Sequence, residues 1–113
     1  MFIDPSAKIA VTEGENTIYI KAKMDLATRA AVQDEIAARG MGSTDEVEVR
    51  GIGSYRLALL AHNIVGWEGP AFEGVRCNRA NILRLEPDDP LVEKVAAEIG
   101  ERNAPKETPA DPN

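Results

Sequence analysis

The chain has 113 residues, a length that supports one hydrophobic core and one domain. Its 19 acidic and 13 basic side chains give a net charge of −6, which argues against nucleic acid as the main partner because phosphate backbones are bound by clustered Lys and Arg. A single cysteine rules out an intramolecular disulfide and indicates a reducing compartment, and no apolar run approaches the roughly 18 residues of a membrane span.

An N-terminal β-hairpin is predicted over residues 8–23. Ile9 and Val11 alternate with more polar neighbours, and Ile18 and Ile20 do the same after a glycine-containing turn. Alternation with a period of two places one set of side chains on each face of a strand, so each strand is expected to bury one face.

A helix is predicted over residues 26–39. Asp25 precedes it and can accept hydrogen bonds from the free N–H groups of the first turn. Gly40 and Gly42 follow the segment, as glycine commonly does past the last helical turn. The apolar side chains that form one face of this helix are Leu26, Ala30, Val32, Ile36 and Ala37.

A third strand is predicted over residues 45–50, where Val47 and Val49 alternate with charged side chains. We expect this strand to pair with the hairpin, because its acidic face would meet the hairpin lysines and opposite charges across a sheet are favourable. The glycines at positions 51 and 53 are expected to end it.

The central helix is predicted over residues 55–65, with Ser54 as its cap. The sequence of this segment, YRLALLAHNIV, is apolar almost all round. A helix without a polar face is buried by neighbours on several sides. We therefore expect this helix to be the most buried element.

Two further helices are predicted in the C-terminal part. Asn78 can cap a short helix that carries Ile82 and Leu85, and Asp89 followed by Pro90 is a strong start signal for a longer one. Gly100 and Asn103 are expected to end this last helix. Its apolar stripe is formed by Leu91, Val92, Val95, Ala96 and Ile99.

Together these elements predict an α+β fold. A small antiparallel sheet from the N-terminal half, a hairpin plus a third strand, would pack with about four helices. Residues 1–103 are expected to form a single globular domain. Residues 104–113 contain three prolines and no large apolar side chain, which is typical of a disordered tail.

The sequence offers no pattern typical of catalysis or metal binding. His62, the only histidine, is expected to be packed and hydrogen-bonded, because general-base catalysis needs a pocket and an orienting carboxylate. Cys77 lies in a polar loop, and only a pocket that held it within hydrogen-bond reach of His62 would favour an enzyme. One Cys and one His cannot complete a four-ligand zinc site. We expect no enzymatic activity, no cofactor and no metal ion.

Trp67 is the only tryptophan, and it stands where glycine and proline interrupt the chain. It could close the end of the central helix, with its indole N–H satisfied by the following loop. Alternatively, it could form a partner-binding rim with Phe72, since tryptophan is enriched at interface hot spots. The partner-binding residues predicted on the second interpretation are Trp67, Phe72, Ile82, Leu85, Val92 and Ile99.

The C-terminal half contains a series of motifs: Tyr55-Arg56-Leu57-Ala58-Leu59-Leu60, Asn63-Ile64-Val65-Gly66-Trp67 with Gly69-Pro70, Asn78-Arg79-Ala80-Asn81-Ile82, Leu85-Glu86-Pro87, and Glu98-Ile99-Gly100-Glu101-Arg102-Asn103. This series, over about residues 55–103, resembles the tail assembly chaperones of long-tailed bacteriophages. Asn78 stands where that family usually has a cap threonine, and the N-terminal strands add little to the resemblance.

The resemblance implies a non-enzymatic chaperone that acts in the host bacterial cytoplasm. Such proteins coat the tape-measure protein, help to recruit tail-tube subunits, and are usually absent from the finished particle. In many phages a ribosomal frameshift near the end of the gene adds a longer C-terminal domain, and Pro105-Lys106 is a place where such a slip could occur. A groove beside the Trp67–Phe72 loop and the last helix would take an amphipathic helix of the tape-measure protein.

Two other functions stay open on the sequence alone. The protein could be a tail or connector subunit retained in the virion, or a small cytoplasmic adaptor with an unrelated partner. None of these functions involves nucleic acid or a membrane. Repeated copies along a filament-like partner would favour weak self-association.

Overall fold

The computed structural model describes the backbone of residues 1–39 and 44–104, and the side chains of these residues except 44–52. The fold is α+β, as predicted: a three-stranded antiparallel sheet packs with four α-helices in the described ranges. Gly40 and Gly42, the predicted stop of the first helix, lie outside the described residues, as does all of the predicted tail except Ala104.

The sheet has the strand order β1-β2-β3, with β1 at Lys8–Glu13, β2 at Asn16–Lys21 and β3 at Ile64–Glu68. The predicted hairpin is confirmed by the antiparallel β1–β2 pairing. Gly14 begins its two-residue turn with a φ of 62°, a left-handed conformation that glycine adopts without a steric penalty.

A β-bulge at Val65 sets which side chains of β3 face the core. Tyr19 pairs with Gly66 and Ile20 pairs with Ile64, so Val65 is the extra residue and is 48% exposed. In a regular strand, Ile64 and Trp67 would point to opposite faces because they are three residues apart. The bulge brings both to the inner face. The side chains of this face are Ile9, Val11, Ile18, Ile20, Ile64 and Trp67.

The helices are α1 at Leu26–Arg39, α2 at Thr44–Asn63, α3 at Arg79–Ile82 and α4 at Pro90–Arg102. Helix α4 packs against β1 and β2, and α2 packs against the other three helices. A short 3₁₀ turn at Pro70–Phe72 follows β3 and contacts β2.

Three of the four predicted helix caps are confirmed, whereas Ser54 is not a cap because it lies inside α2. Asp25 Oδ1 accepts from the Thr28 N–H at 2.8 Å, Asn78 Oδ1 from the Asn81 N–H at 2.9 Å, and Asp89 Oδ1 from the Leu91 N–H at 2.8 Å. Each bond satisfies one of the backbone donors that a helix leaves free at its start.

The predicted third strand at residues 45–50 is wrong, because this segment is helical and belongs to the first half of α2. A six-residue alternation is short enough to fit either structure, and acidic residues near a helix N-terminus are favoured by the helix dipole. The glycines at positions 51 and 53 lie within the same helix and do not break it. The third strand is β3, which pairs with the edge of β2 that β1 leaves free.

The predicted central helix at 55–65 is the second half of α2, which ends at Asn63 because Ile64 and Val65 enter β3. Ala58, Leu59 and Leu60 are buried, in agreement with the predicted central position. Tyr55 is 51% exposed, however, so this half of the helix does have a solvent-facing side.

Helix α4 provides much of the core that covers the sheet. The predicted apolar stripe is buried at Leu91, Val92, Val95 and Ile99, and Ala96 packs against it. Gly100 lies inside the helix and does not end it; the cap is Asn103. The Asn103 side chain accepts from the Met24 N–H at 2.8 Å, which ties the end of α4 to the segment before α1.

Candidate partner-binding grooves

Trp67 is half-buried and is held by the loop that follows it. Its indole Nε1 donates to the Val75 carbonyl at 2.9 Å. Its ring stacks on Phe72, with centroids 4.7 Å apart and planes inclined by 11°. The loop therefore satisfies the indole N–H, although Trp67 lies in β3 and does not close the end of a helix.

The loop after Trp67 is fixed against the hairpin turn. The Ala71 N–H donates to Asn16 Oδ1 at 2.9 Å. Gly69 has a φ of 123°, and a Cβ at this position would lie 2.6 Å from both Asn16 Oδ1 and the Glu15 carbonyl oxygen. Only glycine allows the loop to approach this closely, and this approach places Phe72 beside Trp67.

The first groove, which we name the Trp67 groove, lies between the hairpin turn, this loop and the start of α4. It has a volume of about 450 Å³. Its apolar lining comprises Ile18, Trp67, Ala71, Phe72, Val75, Leu85, Pro90, Leu91 and Val92. Three carboxylates, Glu13, Glu86 and Asp89, and one guanidinium, Arg84, are also part of the lining that the described side chains form.

The second groove, which we name the Leu83 groove, lies between α2, α3 and the segment before α4. It has a volume of about 460 Å³, and its apolar lining comprises Leu57, Leu60, Ile82, Leu83, Leu85, Pro87 and Val92. Leu83 is 41% exposed at its edge. Arg56 also lines this groove and donates to the Pro87 carbonyl at 3.1 Å.

Five of the six predicted partner-binding residues line these grooves. Trp67 and Phe72 belong to the Trp67 groove, Ile82 to the Leu83 groove, and Leu85 and Val92 to both. Leu85 and Val92 thus form a shared wall that makes the two grooves neighbours. Ile99 lines neither groove and is 1% exposed, so the described structure does not place it at either of them. It faces the core because it lies on the buried stripe of α4.

Sequence reasoning missed Leu57 and Leu83. Both were hidden by the helical pattern, because an apolar residue at the edge of a groove has the same spacing as one in the core. Residues at a groove edge differ from core residues in the solvent exposure of their side chains, and only the structure gives this exposure.

His62 belongs to a charged cluster centred on Glu35. Its Nε2 donates to Glu35 Oε1 at 2.8 Å, while Arg79 and Arg39 donate to Oε2 at 2.5 Å and 3.0 Å. The hydrogen bond from Arg79, aided by those from His62 and Arg39, lowers the pKa of Glu35 to about 2. Glu35 is a carboxylate at neutral pH, and the cluster joins α1, α2 and α3.

Cys77 is half-buried and packs against the core. Burial raises the pKa of its thiol, which disfavours the reactive thiolate. Within the described side chains, no hydrogen bond joins Cys77 to His62, and no three His, Cys, Asp or Glu side chains lie close enough to share a metal ion. Among the helices that the structure describes, none is both long and apolar enough to cross a membrane.

Comparison with known proteins gives no relative for this chain. No protein-family model, curated protein or solved structure matches it significantly.

Proposed function

We propose that this protein is a non-enzymatic tail assembly chaperone of a long-tailed bacteriophage. In this role it binds the tape-measure protein in the host bacterial cytoplasm, keeps it soluble and helps to recruit tail-tube subunits. The observation that carries the proposal is the pair of neighbouring apolar grooves that share Leu85 and Val92.

The apolar lining of the grooves supports helix binding. A long amphipathic helix in water exposes an apolar stripe, and such a stripe aggregates unless another surface covers it. A groove lined by apolar side chains covers one helical face by accepting residues at positions i, i+3, i+4 and i+7. Two such grooves side by side offer more contact area than either one alone.

Four of the five chaperone-like motifs contribute side chains to these grooves, and the fifth, residues 98–103, lines neither. Residues 55–60 contribute Leu57 and Leu60, and residues 63–67 contribute Trp67. The later motifs contribute Ile82 of α3 and the shared Leu85. The resemblance and the groove geometry therefore support the same surface.

The absence of enzymatic activity is part of the proposal. The His62 imidazole is hydrogen-bonded to Glu35 in a cluster that joins three helices. The Cys77 thiol packs against the hydrophobic core. Hydrogen bonding to a carboxylate is an ordinary structural use of a histidine. Apolar contact with another polypeptide explains the grooves without a reactive group.

The proposal is tested by co-expression with the tape-measure protein in bacteria, with the soluble fraction of the tape-measure protein as the readout. Phe72→Ala and Leu83→Ser each remove an apolar side chain from one groove, and the double variant is expected to lose most of the solubilising effect. Leu26→Ser is the matched control, because Leu26 is 88% exposed and lines neither groove. Thermal unfolding verifies that each variant is folded.

If the folded double variant still keeps the tape-measure protein soluble, the proposed surface is wrong.

Mass spectrometry of purified virions gives an independent outcome. A chaperone is expected to be missing from the particle, whereas many copies per virion would identify a structural subunit. Failure of the wild-type protein to bind any tail protein would favour an adaptor function.

A further inference from the structure

The charges around the Trp67 groove are mostly negative. Among the described side chains, Glu13, Glu86 and Asp89 line it, against one cation, Arg84. Glu13 is neutralised in part by Lys94, whose Nζ lies 2.5 Å from its carboxylate. Asp89 faces the N-terminus of α4, where it caps the Leu91 N–H. Glu86 is exposed and makes no ion pair with any other described side chain.

This imbalance favours a cationic partner. Even with Lys94 included, the described carboxylates outnumber the cations at the groove by three to two. The whole chain carries a net charge of −6, so its wider field has the same sign. A field of one sign around an apolar surface increases the association rate of oppositely charged partners and disfavours partners of like charge.

The same charges argue against a second copy as the occupant of the groove. In a two-fold symmetric dimer each copy presents the same surface to the other, so the acidic side chains of the two grooves would face one another. Like charges at an interface are costly. The favoured occupant is therefore a different polypeptide.

We propose that the Trp67 groove binds an amphipathic helix whose apolar ridge is flanked by Lys or Arg. This inference rests on the proposed function, because it assumes that the groove is the surface on which the partner helix docks. The apolar ridge contacts Trp67, Phe72 and Val75, of which Val75 is 43% exposed, and the flanking cations lie near Glu86. The segment of the partner helix that binds is therefore basic.

Two synthetic peptides test this assignment. Both form helices of about 18 residues with the same Leu and Ala ridge, but one has Lys and the other Glu at the flanking positions. Neither contains tryptophan, so the fluorescence of Trp67 reports binding at the groove itself. We expect the Lys peptide to bind about tenfold more tightly at low ionic strength, with a ratio that falls as salt is added.

Two charge-reversal variants distinguish the effect of charge at the groove from the effect of the net charge of the protein. Glu86→Lys is expected to reduce the preference for the Lys peptide to about threefold or less, since it replaces an attraction by a repulsion at the groove. Glu101→Lys changes the net charge by the same amount on an exposed position that lines neither groove. It is expected to leave most of the preference intact.

Three results would overturn the inference: equal binding of the two peptides, an equal effect of the two reversals, or no response of Trp67 to either peptide. These outcomes are separable from failure of the proposed function. Solubilisation of the tape-measure protein with no charge preference would reject only the basic helix. A charge preference at Glu86 without solubilisation would reject the chaperone function and retain the basic-helix groove.

Discussion

Glu35 is the residue that connects the helices most directly. It lies on α1, and its carboxylate accepts from His62 of α2 and from Arg79, the first residue of α3. Its side chain is only 13% exposed, so these bonds are shielded from water and salt more than a surface ion pair would be. The cluster positions α3, and Ile82 of α3 lines the Leu83 groove.

This contact predicts a loss of stability in acid. The pKa of Glu35 is lowered from 4.5 to about 2, so the unfolded chain takes up a proton at a higher pH than the folded one. The stabilisation is fully present above pH 4.5 and is lost as the pH falls from there through about 2. Glu35→Gln is expected to cost about 1–3 kcal/mol near neutral pH and much less near pH 2, as measured by urea unfolding.

Asp34→Asn is the control for this experiment, because Asp34 is an exposed neighbour on the same helix. It removes one carboxylate without touching the cluster and is expected to change stability by less than about 0.5 kcal/mol. An equal cost of Glu35→Gln at neutral and acid pH would contradict the assigned role of the ionised carboxylate.

Contacts between residues that are close in sequence could be predicted, whereas contacts between distant residues could not. The caps Asp25, Asn78 and Asp89 were predictable because each bonds a backbone N–H within three residues. The contact between Glu35 and Arg79 spans 44 residues, and no local pattern encodes it. The arrangement of α3 therefore required the structure.

At the scale of elements, the third strand shows where periodicity fails. Residues 45–50 alternate regularly yet are helical, whereas β3 is irregular yet is a strand. Its bulge at Val65 shifts the alternation by one residue, so Ile64 and Trp67 share a face although their spacing breaks the period of two. The pairing partner, β2, lies more than 40 residues earlier and could not be identified from the β3 sequence.

Helix α4 offers a direct test of a predicted element, because its cap also lines the Trp67 groove. Asp89→Ala removes the acceptor of the Leu91 N–H and is expected to reduce the free energy of unfolding by about 0.5–2 kcal/mol. Asp88→Ala is the matched control, since Asp88 is exposed and adjacent but is not the capping residue. Chemical denaturation measures both. A cost of Asp88→Ala equal to that of Asp89→Ala would show that charge near the helix start, and not the cap bond, is responsible.

At the scale of the whole molecule, the fold joins the C-terminal half to the N-terminal hairpin. The strand β3 joins the N-terminal hairpin, so the loop after Trp67 packs against the hairpin turn and encloses the Trp67 groove. The sequence was sufficient to predict the α+β fold and the apolar stripe of α4. The predicted apolar face of α1 is wrong in part, because Leu26, Ala30 and Ala37 are exposed and the buried side chains of that helix are Thr28 and Val32. The sequence could not predict that two grooves share a wall, because this depends on how α2, α3 and α4 meet.

A second apolar region provides the rival to the proposed surface. Met1, Phe2 and Leu26 are all more than 80% exposed, and they line a depression of about 630 Å³ near the start of α1. The charged side chains described in its lining, Asp25 and Arg29, carry opposite charges, so their electrostatics do not select a basic partner. We propose docking at the two grooves and not in this region, because the chaperone-like motifs of residues 55–103 contribute to the grooves and not to the depression near α1.

The most direct test is to map where the tape-measure protein binds, by NMR chemical-shift changes on the isotopically labelled chain as the partner is added. We predict that the largest changes lie at Trp67, Phe72, Leu83 and Leu85. Changes concentrated at Phe2 and Leu26, with the groove residues unaffected, would contradict the claim that the grooves are the docking surface.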